Sequence, residues 1–293
     1  MQSDNPPCAG PGTKGLIRVW SEDPLTARAR SVWSSGDFHT IAQSYARAAE
    51  EFIARLSLRP GESVLDVACG SGNLAIPAAR VGAHVTGIDI APNQIAQARL
   101  EARSAGCVVA FEIGDAEGLP CTENQFDTTV SMFGAMFAYR PERVVRELLR
   151  VTRPGGRVAM ANWTPDGFGG HLVRAHAALV PPPSGVPSPL DWGVADAVRA
   201  RFGSGVTSLT CARRTLELRF PFPPAAVTEL FATSYGPTVA ALRASDPHEA
   251  SRLRQELTRL FQHFNAAAEG TSLVGEYLDV EARVGRRHRG ALR

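Results

Sequence analysis

Lysine is nearly missing from this chain. Lys14 stands alone among 31 basic residues, a bias that fits a GC-rich gene better than any function. Paired cysteines are missing too. Cys8, Cys69, Cys107, Cys121 and Cys211 make an odd set of five, and no two are spaced as C-x-x-C. That argues against a disulfide framework or a zinc site and for a reducing cytoplasm. No run of 18 apolar residues occurs, so no membrane-spanning helix is expected. The opening "MQSDNPPCAGPGTKG" has no charged segment followed by an apolar one, so no signal peptide is expected. An excess of one charge is also lacking, since 29 acids oppose 31 bases and leave +2. Without an extended basic stripe, nucleic acid is not an expected partner. The one basic cluster, "RVGRRHRGALR", reads as a loose, solvated terminus.

What is present is a hydrophobic share of 44% in 293 residues, ample for a buried core. Residues 1–15 are rich in Pro and Gly and are expected to be disordered. Phe38, Ile41, Ala42, Tyr45, Ala49, Phe52, Ile53 and Leu56 recur at helical spacing, predicting one helix with one buried face. "RPGE" at 59–62 breaks it. Strands then alternate with helices: "SVLDVA", "HVTGIDI", "VVAFEIGDA", "FDTTVSMF" and "GRVAMANW" are strands with helical segments between them. Such alternation predicts an α/β fold, a doubly wound parallel sheet with helices on both faces. Ligands bind such sheets at the carboxyl ends of the strands. After Trp163 the pattern changes to helices separated by two alternating strands, "SLTCARRTLELRF" and "SLVGEYLDVEARV". These two strands are expected at the sheet edge, with the helices between them forming a cap. "PPAAVTELFATSYGPTVAALRA" reads as one of those helices.

The stretch "DVACGSGN", residues 66–73, holds the sharpest signal. Gly70 and Gly72 lie where a strand turns into a helix. Glycine there permits positive φ and close approach of a ligand to the backbone. G-x-G alone is weak. "GSGNLA" even satisfies the dinucleotide pattern, with Asp89 spaced as a ribose-binding acid, so a nicotinamide oxidoreductase has to be weighed. Three companions weigh against it. Asp66 precedes the glycines and would face a pyrophosphate unfavourably but a cation well. "GDAEGLP" at 114–120 puts Asp115 and Ala116 at the end of the third strand. "RPGG" at 153–156 lies between a helix and the fifth strand.

Together "VLDVACGSG", "GIDI", "GDAEGLPCTENQFD" and "LLRVTRPGGRV" resemble the class I S-adenosylmethionine-dependent methyltransferases, in the branch with ubiquinone and menaquinone biosynthesis enzymes. The resemblance covers about residues 30–165; beyond it, "NWTPDGFGG", "PSPLDWG" and "SYGPT" look like a subgroup of bacterial small-molecule methyltransferases. It implies a Rossmann-like, mostly parallel seven-stranded sheet with a helical cap. It implies an N-terminal tail and helical cover over 1–57, a cofactor-binding core over 58–165, a cap with the last two strands over 166–284, and a basic tail over 285–293. It also implies site roles. Asp66 would lie near the donor's methionine ammonium, and Ala68, Gly70 and Gly72 would line its methionine and ribose. Asp89 would accept from the ribose hydroxyls and Ile90 would pack on the adenine. Asp115 and Ala116 would meet the adenine edge, and Ser131, Met132 and Phe133 would end the fourth strand beside the donor. Cys69 is assigned to packing.

Methyl transfer needs alignment more than a covalent intermediate. A base is needed only for an acceptor that does not ionise easily. His39, His171, His176 and Tyr235 are candidates, with His171 and Tyr235 preferred because they flank the expected pocket. Metal dependence is not expected, because "VSMF" and "MANW" end their strands without paired acids. Trp33, Phe38, Met136, Phe137, Trp163 and Phe168 are expected to line an apolar acceptor pocket. The leading expectation is a cytoplasmic, metal-independent methyltransferase acting on a small, largely apolar quinone, phenol or secondary metabolite. The resemblance leaves a homodimer open. The alternative is a donor-binding protein of the same fold with cyclase, lyase or scaffold work.

Overall fold

In the computed structural model, residues 23–285 are described; the expectations for 1–15 and for the basic tail beyond 285 lie outside the described residues. The chain runs α1 (Pro24–Trp33), α2 (Phe38–Ala42), α3 (Ala46–Leu56), β1 (Ser63–Val67), α4 (Ala75–Arg80), β2 (His84–Asp89), α5 (Pro92–Ser104) and β3 (Val109–Ile113). Then come β4 (Phe126–Met132), α6 (Pro141–Val151), β5 (Thr152–Trp163), α7 (Phe168–Leu179), α8 (Ala195–Phe202) and β6 (Val206–Phe220). The cap closes with α9 (Pro224–Ser234), α10 (Gly236–Ala244) and α11 (Pro247–Phe264) before β7 (Thr271–Val284).

All seven strands form one sheet in the order β3-β2-β1-β4-β5-β7-β6. The first five are parallel, while β7 runs antiparallel to β5 and β6. The alternating late strands thus extend the edge beside β5, as the pattern predicts. Strand order reverses between β1 and β4, the place where open α/β sheets leave a crevice. Central strands carry apolar runs because helices cover both faces. Val64, Leu65 and Val67 of β1 have no exposed surface. On α6, Val144, Val145, Leu148 and Val151 are buried, the i, i+4, i+7 stripe of a helix lying on a sheet. Pro92 opens α5, and a capping box of Asp246 and Glu249 opens α11.

Three boundaries differ from expectation, each for a local reason. β5 begins at Thr152 rather than Gly156. Thr152 pairs with Phe126 and Arg157 with Thr128, so Arg153 to Gly156 bulge out of a continuing ladder. The helix read from Phe38 to Leu56 is broken by a 3-10 turn at Gln43–Tyr45, where Ser44 Oγ donates to the Ile41 carbonyl and Tyr45 leaves the helical region at φ −125°, ψ 20°. The cap helix read from 223 to 244 is broken at Tyr235, which is extended at φ −85°, ψ 108°. Pro237 contributes to that break, because it has no N–H to bond the Thr233 carbonyl and its ring would crowd that carbonyl in a continuous helix.

The second break is interlocked with the N-terminal cover. A Cβ on Gly36 would collide with the Ser234 carbonyl, and one on Gly236 with the Val32 carbonyl. Ser35 Oγ donates to the Gly236 carbonyl at 3.1 Å. Backbone meets backbone here, so α1 and α10 are held at a fixed distance across the mouth of the crevice.

Candidate active site

At the carboxyl ends of β1, β2 and β4 lies a cleft of about 1000 Å3, to which α1 and α2 also contribute lining residues. Its floor begins at Asp66. This carboxyl is 1% exposed, and its Oδ2 accepts from the Ala75 amide at 3.0 Å. Burial pushes its pKa up to about 8, against the pull of the Ala75 hydrogen bond and with a further push from the Asp89 charge. Next comes Ala68, at φ +56°, a left-handed conformation that costs a residue with a Cβ about 1–2 kcal/mol. Phe133 at the end of β4 has φ +53°. Two strained residues facing each other across one crevice fit a preorganised ligand site. Gly72 has φ +94°, and a Cβ there would press on Ile76 at 3.2 Å, so the turn between β1 and α4 requires glycine.

Asp89, at the end of β2, clamps that turn. Its Oδ2 accepts from the Gly70 amide at 2.8 Å and its Oδ1 from the Ala91 amide at 2.9 Å. Burial raises its pKa against these bonds. Asp115, past β3, accepts from the Glu117 amide through Oδ1 and from Thr26 Oγ1, on α1, through Oδ2, both at 2.9 Å. Arg140 ties the same end shut, bridging Glu117 at 2.8 Å and Asp23, which precedes α1. Gln94, on the buried face of α5, lines the cleft at 3% exposure, and its Oε1 is buried without a partner.

The charge balance of the lining separates ligand classes. Asp66, Asp89, Asp115 and Glu117 line the cleft, and among the described residues no Arg, Lys or His does, although Arg140 pairs with Glu117 from outside the lining. The three aspartates have no such partner, so the lining disfavours a pyrophosphate and suits a ligand carrying positive charge and hydroxyl or amino donors. S-adenosylmethionine has those features, and the orphan Gln94 Oε1 is a ready acceptor for one of its donors. The residues present therefore fit this cofactor, and they disfavour a dinucleotide.

Beside the cleft lies a second pocket of about 380 Å3, lined by aromatic rings. Trp33, Phe38, Tyr45, Phe133 and Phe137 line both and form the doorway between them. Behind the door stand Trp163, Phe168, Phe231 and Tyr235. Phe133 stacks flat on Trp163 with ring centres 3.7 Å apart, and Tyr45 meets Phe133 edge-on at 5.9 Å.

The structure brings most of the sequence candidates together here. Asp66, Ala68, Gly70, Asp89, Ile90, Asp115, Ala116, Met132 and Phe133 line the cleft. Trp33, Phe38, Phe137, Trp163, Phe168 and Tyr235 line the aromatic pocket. Four others stand elsewhere. His171 is exposed on the outer face of α7 and rests on Phe264, with ring centres 5.4 Å apart. Its helix position turns it away from the sheet. Ser131 is buried one residue behind the cleft, donating to the Val67 carbonyl at 2.7 Å and accepting from the Ala135 amide, and so staples β1 to β4. Met136 is 1% exposed and packs in the core rather than in a pocket. Gly72 shapes the turn without lining it.

The other histidines are engaged. His176 donates or accepts at both ring nitrogens, to the Leu172 carbonyl at 2.7 Å and Thr238 Oγ1 at 2.6 Å, and burial lowers its pKa to about 4. His39 holds Ser71 Oγ at 3.1 Å and lies 3.3 Å from Glu101, latching α2 onto the glycine turn. Burial raises the pKa of the Cys69 thiol well above normal, which leaves it a packing residue. Sequence reasoning missed Tyr45, Gln94 and Thr26. Gln94 was legible as a polar residue on the same face of α5 as Ile95, Ala98 and Ala102. Tyr45 was hidden among apolar helical positions, and Thr26 carried no signal.

Similarity to known proteins converges on this geometry. A family described as a methyltransferase domain matches residues 64–156, from β1 to the bulge of β5. The uncharacterized protein Rv1403c of Mycobacterium tuberculosis is 37% identical over 240 residues, 80% of this chain and 87% of that one. Demethylmenaquinone methyltransferase of Renibacterium salmoninarum is 32% identical over 148 residues, 48% of this chain and 60% of that one. The solved structure of the YcgJ protein from Bacillus subtilis shares the fold, with TM-score 0.57 at 17% identity over 82% of this chain and 98% of that one. The ordered motifs, the acidic cleft at the switch point of the sheet and these relatives agree: the chain belongs to the class I S-adenosylmethionine-dependent methyltransferases.

Proposed function

We propose that the protein methylates a small, largely apolar acceptor held in the aromatic pocket, without a metal ion. The observation that carries this reading is the shared doorway of Trp33, Phe38, Tyr45, Phe133 and Phe137, which joins an acidic cleft to an aromatic pocket. Bound S-adenosylmethionine supplies a methyl carbon activated by its sulfonium. The chain's own part is placement. Asp66 faces the ammonium, Asp89 and Gln94 take hydroxyl or amino donors, and Asp115 and Ala116 hold the adenine edge. Residues 58–165 thus carry the cofactor, and the cap within 166–284 closes over the acceptor. The aromatic walls exclude water and turn a ring or chain toward the door. Transfer to the acceptor atom would break the donor's carbon–sulfur bond and leave the electron pair on S-adenosylhomocysteine, with any acceptor proton passing to water.

The ends of β4 and β5 support the metal-free reading, since Met132, Phe133, Asn162 and Trp163 stand where paired acids would be needed. Calorimetry with S-adenosylmethionine and S-adenosylhomocysteine tests the cofactor half, and saturable binding of both is expected. No binding at high micromolar ligand would falsify it. A panel of quinols, phenols and polyketide-like acceptors, followed by the mass gain of one methyl group, tests the other half. The cyclase or scaffold alternative gains support if the donor binds and a true ligand is converted without release of S-adenosylhomocysteine.

A further inference from the structure

We propose that Tyr45 and Tyr235 form a two-hydroxyl cradle for the ionised oxygen of a phenol or enol acceptor. This rests on the methyltransferase reading above and narrows its substrate class. Among the residues lining the aromatic pocket, none is Asp, Glu, His, Lys or Arg. Its polar side-chain groups are the hydroxyls of Tyr45 and Tyr235 and the two indole nitrogens of Trp33 and Trp163. Neither hydroxyl has a hydrogen-bond partner among the described residues, and neither is walled in on all sides. Each hydroxyl is therefore free to donate to a ligand that enters the pocket.

Their placement is not incidental to packing. Each tyrosine sits in a break of a helix that periodicity reads as continuous, and each break turns the ring inward. Tyr45 is 6% exposed in the doorway, fixed edge-on against Phe133. Tyr235 is 7% exposed at the far wall, wedged among Trp33, Phe38 and Phe231 with ring centres 5.4 to 6.1 Å away. The ionisable groups facing them are few. The charges of Asp66 on β1 and of a Tyr235 phenolate would act on Tyr45, and His176 of α7 backs Tyr235 with both nitrogens already bonded. Burial raises the pKa of both phenols, so each stays protonated and can only donate to an anion.

A pocket with two protonated donors and no base cannot deprotonate a reluctant acceptor. It can hold one that ionises readily in water, releasing its proton to solvent before or on entry. Charge-assisted hydrogen bonds are the stronger kind, so the cradle favours the phenolate over the phenol. An amine, which arrives without a negative charge, gains nothing from two donors. Acidic phenols and enols, including hydroxyquinones, are therefore the acceptor class that this wall recognises.

The test uses the full chain saturated with S-adenosylhomocysteine and 4-nitrophenol as probe, whose ionised form absorbs visible light. In the parent, the bound probe should ionise at lower pH than the free probe. Tyr45→Phe and Tyr235→Phe should each cut the ratio of bound phenolate to bound phenol about tenfold at fixed pH, the weight of one charge-assisted bond. A merely structural role would weaken binding of the probe without moving its ionisation. 4-Nitroaniline, which cannot form the anion, should bind each variant as well as the parent and reports whether the pocket is intact. If Tyr45→Phe does not fold, Tyr235→Phe decides alone, since Tyr235 lies outside the cofactor cleft. An unshifted probe, equal ionisation in variant and parent, or no saturable probe binding overturns the cradle. Failure to bind S-adenosylhomocysteine in the first place overturns the methyltransferase reading instead.

Discussion

At the scale of single residues, the site is governed by buried carboxyls whose charge waits for a ligand. With its pKa near 8, Asp66 is largely protonated in the ligand-free protein at neutral pH. An ammonium group needs the carboxylate, so binding must expel that proton. Affinity for S-adenosylhomocysteine should therefore rise as pH increases from about 6 to about 8, by up to about tenfold per unit. Isothermal titration in buffers of different ionisation enthalpy should detect the released proton. Asp66→Asn should bind more weakly and without that slope; an unchanged slope would assign the proton to another group. The stability sign runs the other way. The folded pKa exceeds the unfolded value of 3.8, so the native state holds more protons between the two, and this carboxyl makes the empty protein less stable as pH rises through that window.

Asp89 has two duties. In the proposed reading it takes the ribose hydroxyls, and it already holds the Gly70 amide. Asp89→Ala should weaken donor binding by at least about 1–3 kcal/mol, the cost of unmatched polar partners. Because the loop is freed as well, Asp89→Asn should recover part of that loss, as its amide oxygen can still accept from Gly70. Calorimetry on the pair separates the two duties. If both variants bind like the parent, the ribose is elsewhere.

At the scale of elements, α1 is a lid with no buried residue, held at its end by Trp33 against Phe38, Phe137 and Tyr235. Its first turns are tied to the cleft by polar links alone, Thr26 to Asp115 and the Asp23–Arg140–Glu117 chain. Part-exposed links of this kind are individually worth little. Amides of 24–33 should therefore exchange with solvent far faster than those of β1 and β4, and slow when S-adenosylhomocysteine binds. Protection of α1 equal to that of the central strands in the empty protein would contradict the lid. The other end of α1 is held by shape. Gly236→Ala forces a Cβ into the Val32 carbonyl and should destabilise the protein by about 1–3 kcal/mol, read as a lower Tm. An unchanged Tm would mean that the α1–α10 junction gives way easily.

Element boundaries were legible where they depend on neighbours in sequence. Pro92 announces α5, and Asp246, Pro247 and Glu249 announce α11. The breaks at Tyr45 and Tyr235 were not. Their apolar positions keep helical spacing on both sides, and what opens each break is the packing of one element on another. Even the proline at 237, a visible signal, was outweighed by the length of the periodic run around it. The extra residues at Arg153–Gly156 likewise looked like a loop, because only the partner strand shows that the ladder resumes.

At the scale of the whole molecule, one sheet serves two pockets. The parallel half ends in the acidic cleft, while β6 and the cap helices supply the far wall of the aromatic one through Leu218, Leu172 and Phe231. A ligand that binds the folded cleft and not the unfolded chain should stabilise by mass action. At a hundredfold excess over Kd, S-adenosylhomocysteine should add about 2.7 kcal/mol, a rise in Tm of about 4 °C for a chain of this size. A thermal scan reads this directly, and a nicotinamide dinucleotide should give no rise. Among the described residues, no helix is long and apolar enough to cross a membrane.

The order of strands and helices, the glycine turn and the acids at three strand ends were determined by the sequence itself. Those features depend on local backbone geometry and on a period that one chain displays in order. Which acids meet in one cleft, that no basic side chain among the described residues lines it, that His171 faces outward, and that two tyrosines separated by most of the chain share one pocket were decided by tertiary structure. Each of these is a relation between elements distant in sequence. Such relations are set by how helices seat on the sheet and where two of them are forced to break.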